Sequence, residues 1–291
     1  MLEVKKIDKE DIGEVSNLIS QLNNSEESHI GFCGKDKKEI AKYMLEDITD
    51  VKYNDSFVGA YENNQLVGVL GFEADLEDRS AEIWGPFINA NKWPIVFDMW
   101  EKTIELLPDE IDSLEMFPNS KNIRVCELAT NLSFKKYSDE TILNFDRNNS
   151  HELKGAFLEE LTPEYYLDMK LLHDKTFPGA YYNGQQIINR INDHGKVFVI
   201  TDKDDFCGYI YVEAEPEFGE ASIEFFAVET SARGKGTGRQ LLMGALKWVF
   251  TFENIDSIRL CVNSTNNSAI NLYKKVGFQH LHDLCSFTKD I

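Results

Sequence analysis

Positive charge is scarce in this sequence: 30 lysines and arginines stand against 50 aspartates and glutamates over 291 residues, a formal net charge of −20. Nucleic-acid phosphates are held by clustered Lys and Arg that release counterions, so the balance argues against a nucleic-acid partner. It leaves room for a cationic substrate, although acidic surface also serves plain solubility. No apolar run approaches the roughly 20 residues of a membrane span, and no membrane partner is expected. The opening, MLEVKKIDKEDIGEV, lacks the basic-then-apolar pattern of a secretory leader. Five scattered cysteines (Cys33, Cys126, Cys207, Cys261, Cys285) make neither a CxxC pair nor a disulfide framework. A cytoplasmic protein whose thiols serve mostly as small core residues is the expectation. The six histidines show no metal or triad spacing, so no metal is expected, and His173 and His194 read as ordinary surface or helix residues.

What the chain does contain is a repeat of itself. Its length is about twice a typical domain. KVFVITDKDDFCGYIYVEAEPEFGEASIEFFAV (196–228) lies over SFVGAYENNQLVGVLGFEADLEDRSAEIWGPFI (56–88) at a constant offset of 140 without a gap. Both read as strand, turn, strand, acidic turn, strand, with Gly208 over Gly68. Farther on, NNSAINLYKKVGF (266–278) lies over NIRVCELATNLSF (122–134) at an offset of 144, matching Asn266 with Asn122, Leu272 with Leu128 and Phe278 with Phe134. Each copy opens with a strand and a helix. In the first these are LEVKKI and a segment with Ile12, Val15, Leu18, Ile19 and Leu22 at helical spacing. In the second they are GAFLEEL and TPEYYLDMKLLHDKTF, with Thr162 as N-cap and Pro163 at the first helical position. After that helix comes PGAYYNGQQIINRI, a loop and second helix. The polar run DRNNSHELKG (146–155) is the candidate linker, which gives domains 1–146 and 151–291.

The two copies differ by about four residues at one place. SARGKGTG stands in the second copy where the first has only NANKW. The strand ASIEFFAV enters this segment, and TGRQLLMGALKWVFTF leaves it with Leu241, Leu242, Ala245, Leu246 and Val249 at helical spacing. Strand, glycine loop and helix N-terminus together build an anion site, because the first turn of a helix offers free N–H groups and partial positive charge. Arg233, Lys235 and Arg239 add charge, so a pyrophosphate suits the loop. A Walker loop is ruled out, since Arg239 stands five residues after Gly234; GxGxxG fails because Leu241 occupies the third glycine position.

RGKGTG (233–238) fits [QR]xxGx[GA], and NNSAINLYKKVGF loosely fits Nxx[AS]xxLYxxxGF. In this order, with a helix and a strand between them, they resemble the two signatures of the GNAT superfamily of acyl-CoA-dependent N-acyltransferases. The resemblance covers about residues 151–291 directly and residues 1–146 through the repeat. It implies an α/β protein of α+β type, two tandem GNAT folds, each a mixed and mostly antiparallel twisted sheet flanked by helices. It also implies acetyl-CoA as acyl donor, with its pyrophosphate on the amides of Arg233, Gly234, Lys235, Gly236, Thr237, Gly238 and Arg239. The pantetheine arm would pair with Phe226, Ala227 and Val228, a strand end that in the family splays from its neighbour and offers an amide to the thioester oxygen. Asn266 resembles the family's asparagine near that arm.

The reaction so implied is N-acetyl transfer to a primary amine of a small molecule or peptide, by direct attack through a tetrahedral intermediate. An amine with a pKa of about 10 is mostly protonated at neutral pH, so a base is needed. Glu224, on the strand that enters the loop, is the candidate, with Ser222 its rival on the same face; a salt-bridged strand carboxylate is the alternative reading. Tyr273 occupies the position that the family commonly uses for the acid which protonates the leaving thiolate. It shares a helical face with Ala269 and Val276, so core packing is its other reading. Its counterpart in the first copy is Ala129, and with neither loop nor phenol the first copy is expected to be non-catalytic. Tyr181 and Tyr182, flanked by glycines, would enclose an apolar or cationic acceptor. Acidic turns such as TDKDD and EAEPEFGE would favour a cationic amine. Two other classes stand beside the enzyme: a non-catalytic acyl-CoA-binding regulatory module, and a structural platform, which the intact loop disfavours.

Overall fold

Apolar residues recurring every three or four positions make Ile12–Asn23 a helix with Val15, Leu18 and Ile19 buried on one face. Alternation and β-branched content likewise make strands of the segments around the hairpin turns. The computed structural model describes residues 2–153, 158–203 and 205–291. The chain divides into two units, one formed by residues up to Glu140 together with His282–Ile291, the other by Thr141–Leu281.

In chain order the first half gives β1 (Leu2–Lys6), α1 (Ile12–Asn23), α2 (Lys37–Glu46), α3 (Tyr53–Ser56), β2 (Phe57–Glu62), β3 (Gln65–Asp75), β4 (Ser80–Ile88), α4 (Val96–Ile104), β5 (Ser113–Met116), α5 (Ile123–Asn131) and β6 (Lys135–Asp146). The second gives β7 (Glu159–Glu160), α6 (Tyr166–Thr176), α7 (Gly184–Asn189), β8 (Gly195–Asp202), β9 (Asp205–Glu215), β10 (Glu220–Val228), α8 (Thr237–Val249), β11 (Ser257–Asn263), α9 (Asn267–Val276) and β12 (Gln279–Asp290). The sheet of the first unit runs β1-β2-β3-β4-β5-β12, and that of the second β7-β8-β9-β10-β11-β6. Each is mixed and largely antiparallel, flanked by helices. The β4–β5 and β10–β11 pairs are parallel; β1–β2, β2–β3, β3–β4, β5–β12, β7–β8, β8–β9 and β9–β10 are antiparallel.

The sequence repeat is a structural one. The β2–β3 register slips between Ala60 and Tyr61, and the β8–β9 register between Ile200 and Thr201, an offset of 140 at the same place. The last strand of each repeat, however, is exchanged. Residues 141–146 of β6 belong to the second unit, and residues 282–290 of β12 to the first.

Three local expectations are refined. Of the strand expected over 155–161, residues 155–157 lie outside the described residues and Glu159–Glu160 form β7. Thr162 precedes the helical segment in extended conformation, with Pro163 at its first position, but makes no side-chain cap. The reason is that Pro163–Tyr165 wind as a tighter 3-10 turn before α6 begins, which shifts the α-helical start by three residues. The polar run 146–155 is anchored at its start: Arg147 donates to the carbonyls of Ile255 at 2.6 Å, Phe250 at 3.3 Å and Phe252.

Candidate active site

Two cores flank the sheet of the second unit. Ile210, Val212, Ala221 and Ile223 face α8 and α9 with Leu241, Leu242, Leu246 and Tyr273. Tyr209, Tyr211, Phe225 and Ala227 face α6 and α7 with Met169, Leu172 and Ile187. In a regular strand Ile223 and Phe225 would share a face, since side chains alternate with period two. They do not, because β10 carries a bulge: Ile223 pairs with Val212 and Phe225 with Tyr211, which leaves Glu224 as the extra residue. The bulge therefore reverses the faces of everything after it. Phe226 and Val228 turn towards α8 and α9, while Phe225 turns towards α6.

Glu224 at the bulge is the meeting point of several side chains. One carboxylate oxygen accepts from the Ser222 hydroxyl and the other from the Tyr181 hydroxyl. Ser222 is thus a hydrogen-bond holder of Glu224. Burial, and then the nearby Glu213 carboxylate, push the Glu224 carboxyl above its ordinary range, while Ser222, Tyr181 and Arg190 pull it back. Tyr181 is 52% exposed as a residue, yet its hydroxyl end is bonded to Glu224. Burial there, followed by the Glu224 charge, drives the phenol well above its normal range and keeps it protonated.

The tyrosine pair is held from below. The Tyr181 ring lies 4.8 Å from both Tyr182 and Phe225. The Arg190 guanidinium sits 4.2 Å over the Tyr182 ring and donates to Glu213 at 3.4 Å, an oxygen that also accepts from Tyr211. His173, read from sequence as an ordinary surface or helix residue, lies on α6 with 0% exposure. Its Nε2–H donates to the Tyr182 carbonyl at 2.7 Å and its Nδ1 accepts from Tyr209 at 2.5 Å. Burial lowers its pKa and favours this neutral form. The turn between α6 and α7 is closed by Asn183, whose side chain accepts from Gln185 and Gln186 while Gln186 returns a bond to Asn183.

On the other side of the bulge, β10 pairs with β11 through Ser222↔Arg259 and Ile223↔Leu260. Among the described residues that pairing goes no farther, so Phe226, Ala227 and Val228 keep only β9 as neighbour, through Ile210, Tyr209 and Gly208. The glycine loop follows. Arg233 reaches back to the Val228 carbonyl at 3.0 Å, and Thr237 to that of Ala232 at 3.1 Å. Gly234 and Gly236 take φ of +75° and +87°, with open space where a Cβ would stand. Gly236 precedes α8 and no side chain caps that end. Arg233, Lys235 and Arg239 are exposed around it. Gly238 serves a different purpose: a Cβ there would come within 2.9 Å of Phe226 and 3.0 Å of Leu272.

Tyr273, 7% exposed on α9, packs its ring 6.2 Å from Phe226 and 5.8 Å from Phe278. Burial holds its phenol above the usual value. Asn266 caps α9 by accepting from the Ala269 amide at 3.1 Å, and Asn122 caps α5 through Val125 in the same way. The repeated asparagine therefore has a helix-capping role in both copies.

The first unit has different residues at these positions. Trp84 replaces Glu224 and stacks on Tyr43 at 5.6 Å. A 3-10 turn, Ala90–Ile95, replaces the glycine loop. Glu73, Glu82 and Glu115 stand in register across β3, β4 and β5. Burial raises all three carboxyls, and Glu82 Oε1 is buried with no partner among the described residues. Among the described residues no cluster of His, Cys, Asp and Glu is placed to hold a metal ion, and no helix is long and apolar enough to cross a membrane.

Residues 156–278 match the acetyltransferase (GNAT) family. No curated protein matches the sequence. Solved structures are similar over the whole chain. A GCN5-related N-acetyltransferase from Sphaerobacter thermophilus superposes with a TM-score of 0.72 at 12% identity, covering 99% of this chain and 95% of that one. A tandem GNAT protein from the clavulanic acid biosynthesis pathway gives 0.72 at 13%, covering 100% and 98%. A GCN5-related N-acetyltransferase from Kribbella flavida gives 0.51 at 11%, covering 100% and 72%. Residues 156–278 thus match the GNAT family, and the fold of the whole chain is that of tandem GNAT structures, so both findings point to the tandem GNAT superfamily.

Proposed function

We propose that the second unit transfers an acetyl group from acetyl-CoA to a primary amine of a small molecule or peptide. The observation that carries this reading is the bulge at Glu224. It leaves a hydrogen-bonded carboxylate on one side of β10 and turns Phe226 towards Tyr273 on the other, just where β10 leaves β11. The residues fit the donor. The uncapped start of α8, with two glycines at positive φ and three exposed cations, suits a pyrophosphate on the amides of residues 233–239. Phe226, Ala227 and Val228 have a strand edge for the pantetheine arm, and Asn266 stands at the start of α9. When bound, acetyl-CoA supplies a thioester carbonyl with a thiolate leaving group.

Glu224 takes the proton of the arriving ammonium, directly or through a water; its raised pKa makes it a stronger base than an exposed carboxylate. Tyr181 and Ser222 hold it in place. Glu213 and the Tyr181–Tyr182 pair favour a cationic acceptor, by charge and by ring faces. The protonated Tyr273 phenol is the proton donor to the leaving sulfur. The first unit, with Trp84 and Ala129 at the matching positions, is a non-catalytic scaffold, and the protein works in the cytoplasm.

Calorimetry with acetyl-CoA, followed by thiol release against a panel of amines, amino acids, aminoglycosides and peptides, tests this. Binding with release on at least one amine is the expected result. Failure to bind acetyl-CoA overturns the reading. Binding without release across the panel would favour a non-catalytic acyl-CoA-binding regulatory module instead.

A further inference from the structure

A polar ring is built into the apolar core beneath Glu224. His173 has 0% exposure, and its ring meets those of Phe177, Tyr209 and Phe225 at 5.4, 6.0 and 4.7 Å. An apolar ring of like size would fill that space; what histidine adds is two hydrogen bonds. A buried polar group persists where its atoms are satisfied, and both nitrogens are. Nδ1 accepts from Tyr209 of β9, and Nε2–H donates to the carbonyl of Tyr182. The next residue of α6, Asp174, accepts from the Gly184 amide at 2.8 Å, so the segment from Tyr182 to Gly184 is tied to α6 at two points.

We propose that His173 is a positioning residue for acetyl transfer: by tying the Tyr182 carbonyl to β9 and packing on Phe225, it keeps the Tyr181 hydroxyl on Glu224. The inference rests on the reading of Glu224 as the base. The Tyr181 side chain is half exposed and has rotamer freedom to lose when its hydroxyl settles on one carboxylate oxygen. Its ring lies against Tyr182 and Phe225, and these are the two residues that His173 holds, one by a hydrogen bond and one by a T-shaped contact at 87°. Phe225 also follows Glu224 directly at the bulge. Glu224 therefore feels His173 through Tyr181 and Phe225. The other charged groups around the carboxylate are Glu213 of β9 and Arg190 at the end of α7, and the one beside the imidazole is Asp174.

Leucine at position 173 leaves the Tyr209 hydroxyl and the Tyr182 carbonyl without this partner and loosens both supports of the Tyr181 ring. Glu224 then loses a bond that stabilises its charge. Glutamine keeps an N–H for the Tyr182 carbonyl, and Tyr209→Phe frees the imidazole from its other side.

The test uses the full chain. Tetranitromethane attacks phenolates, so release of the Tyr181 hydroxyl from Glu224 should speed its nitration at pH 8 about tenfold in His173→Leu, read by peptide mass. Tyr209→Phe should raise the rate as well, and His173→Gln should lie closer to wild type than His173→Leu. In turnover of an amine, His173→Leu should lower kcat/KM about tenfold and move its rising limb up by about one pH unit, with acetyl-CoA affinity by calorimetry within about twofold. The same substitution made in Tyr181→Phe should move the limb no further, because both act through one bond. Tyr181 nitrated at the wild-type rate in both His173→Leu and Tyr209→Phe overturns the proposal, as does a limb shift in the double variant that sums those of the single ones. Nitration needs no turnover. If no amine is acetylated the proposed reaction falls, while nitration still decides whether His173 holds Tyr181 on Glu224. Should His173→Leu fail to fold, an unchanged rate in Tyr209→Phe alone overturns the proposal.

Discussion

A carboxylate that accepts from both a phenol and a serine loses one of two bonds stabilising its charge in Tyr181→Phe. The bond lowers the Glu224 pKa, so its loss raises it further. The rising limb of kcat/KM against pH should then move to higher pH, and an unmoved limb would take Glu224 out of the base role. Tyr273→Phe keeps the ring between Phe226 and Phe278 but removes the hydroxyl. We expect kcat to fall about 100-fold with acetyl-CoA affinity nearly unchanged, in steady-state kinetics and calorimetry. In the first unit, Glu82→Gln should be stabilising at alkaline pH. Glu82 has a folded-state pKa raised above its unfolded value, so its contribution is lost as pH climbs between the two, and glutamine does not ionise. Thermal melts should show a higher Tm for the variant at pH 8, by about 2–4 °C for each kcal/mol relieved, and a gap that closes below about pH 4.

Among the elements, the loop before α8 has the most specific backbone. Gly236→Ala meets no steric neighbour, so its cost is the left-handed φ alone, about 1–2 kcal/mol. If the loop amides hold the pyrophosphate, acetyl-CoA affinity should drop about 5–30-fold by calorimetry. The helices and hairpins were legible because their patterns are local: Ile12 to Leu22 at helical spacing, and turn residues between alternating strands. The glycine loop is a local pattern too, and it makes Glu224 and the tyrosine pair candidates by their place beside it, whereas Tyr273 becomes one only through the resemblance of its segment to a family signature. That Tyr181 bonds Glu224 was not legible, because the bulge decides which face Glu224 shares and spacing alone does not fix a bulge. His173 was missed since a single histidine on a helix carries no sign of the Tyr209 hydroxyl and Tyr182 carbonyl that enclose it. Glu213 and Arg190 come together only through strand register and the end of α7.

For the whole molecule, the exchanged strands mean that cutting at the middle of the sequence separates neither unit cleanly. Removing residues 282–291 takes the β5 partner, with Leu284 and Phe287 buried in it, out of the first unit. Each of those side chains is worth about 1.5–3 kcal/mol of burial, against a total of about 5–15 kcal/mol for a domain. Hydrogen exchange of the truncated chain should show loss of protection over residues 2–140 with the second unit largely retained; equal protection in both would show that β12 is dispensable. The exchange also sets an order of assembly during synthesis. The second unit has every segment it needs once Leu281 emerges, whereas the first, though made earlier, waits with the edge of β5 open until residues 282–290 arrive. An open strand edge invites pairing with another chain, so the half that is translated first is the half that stays vulnerable to aggregation longest.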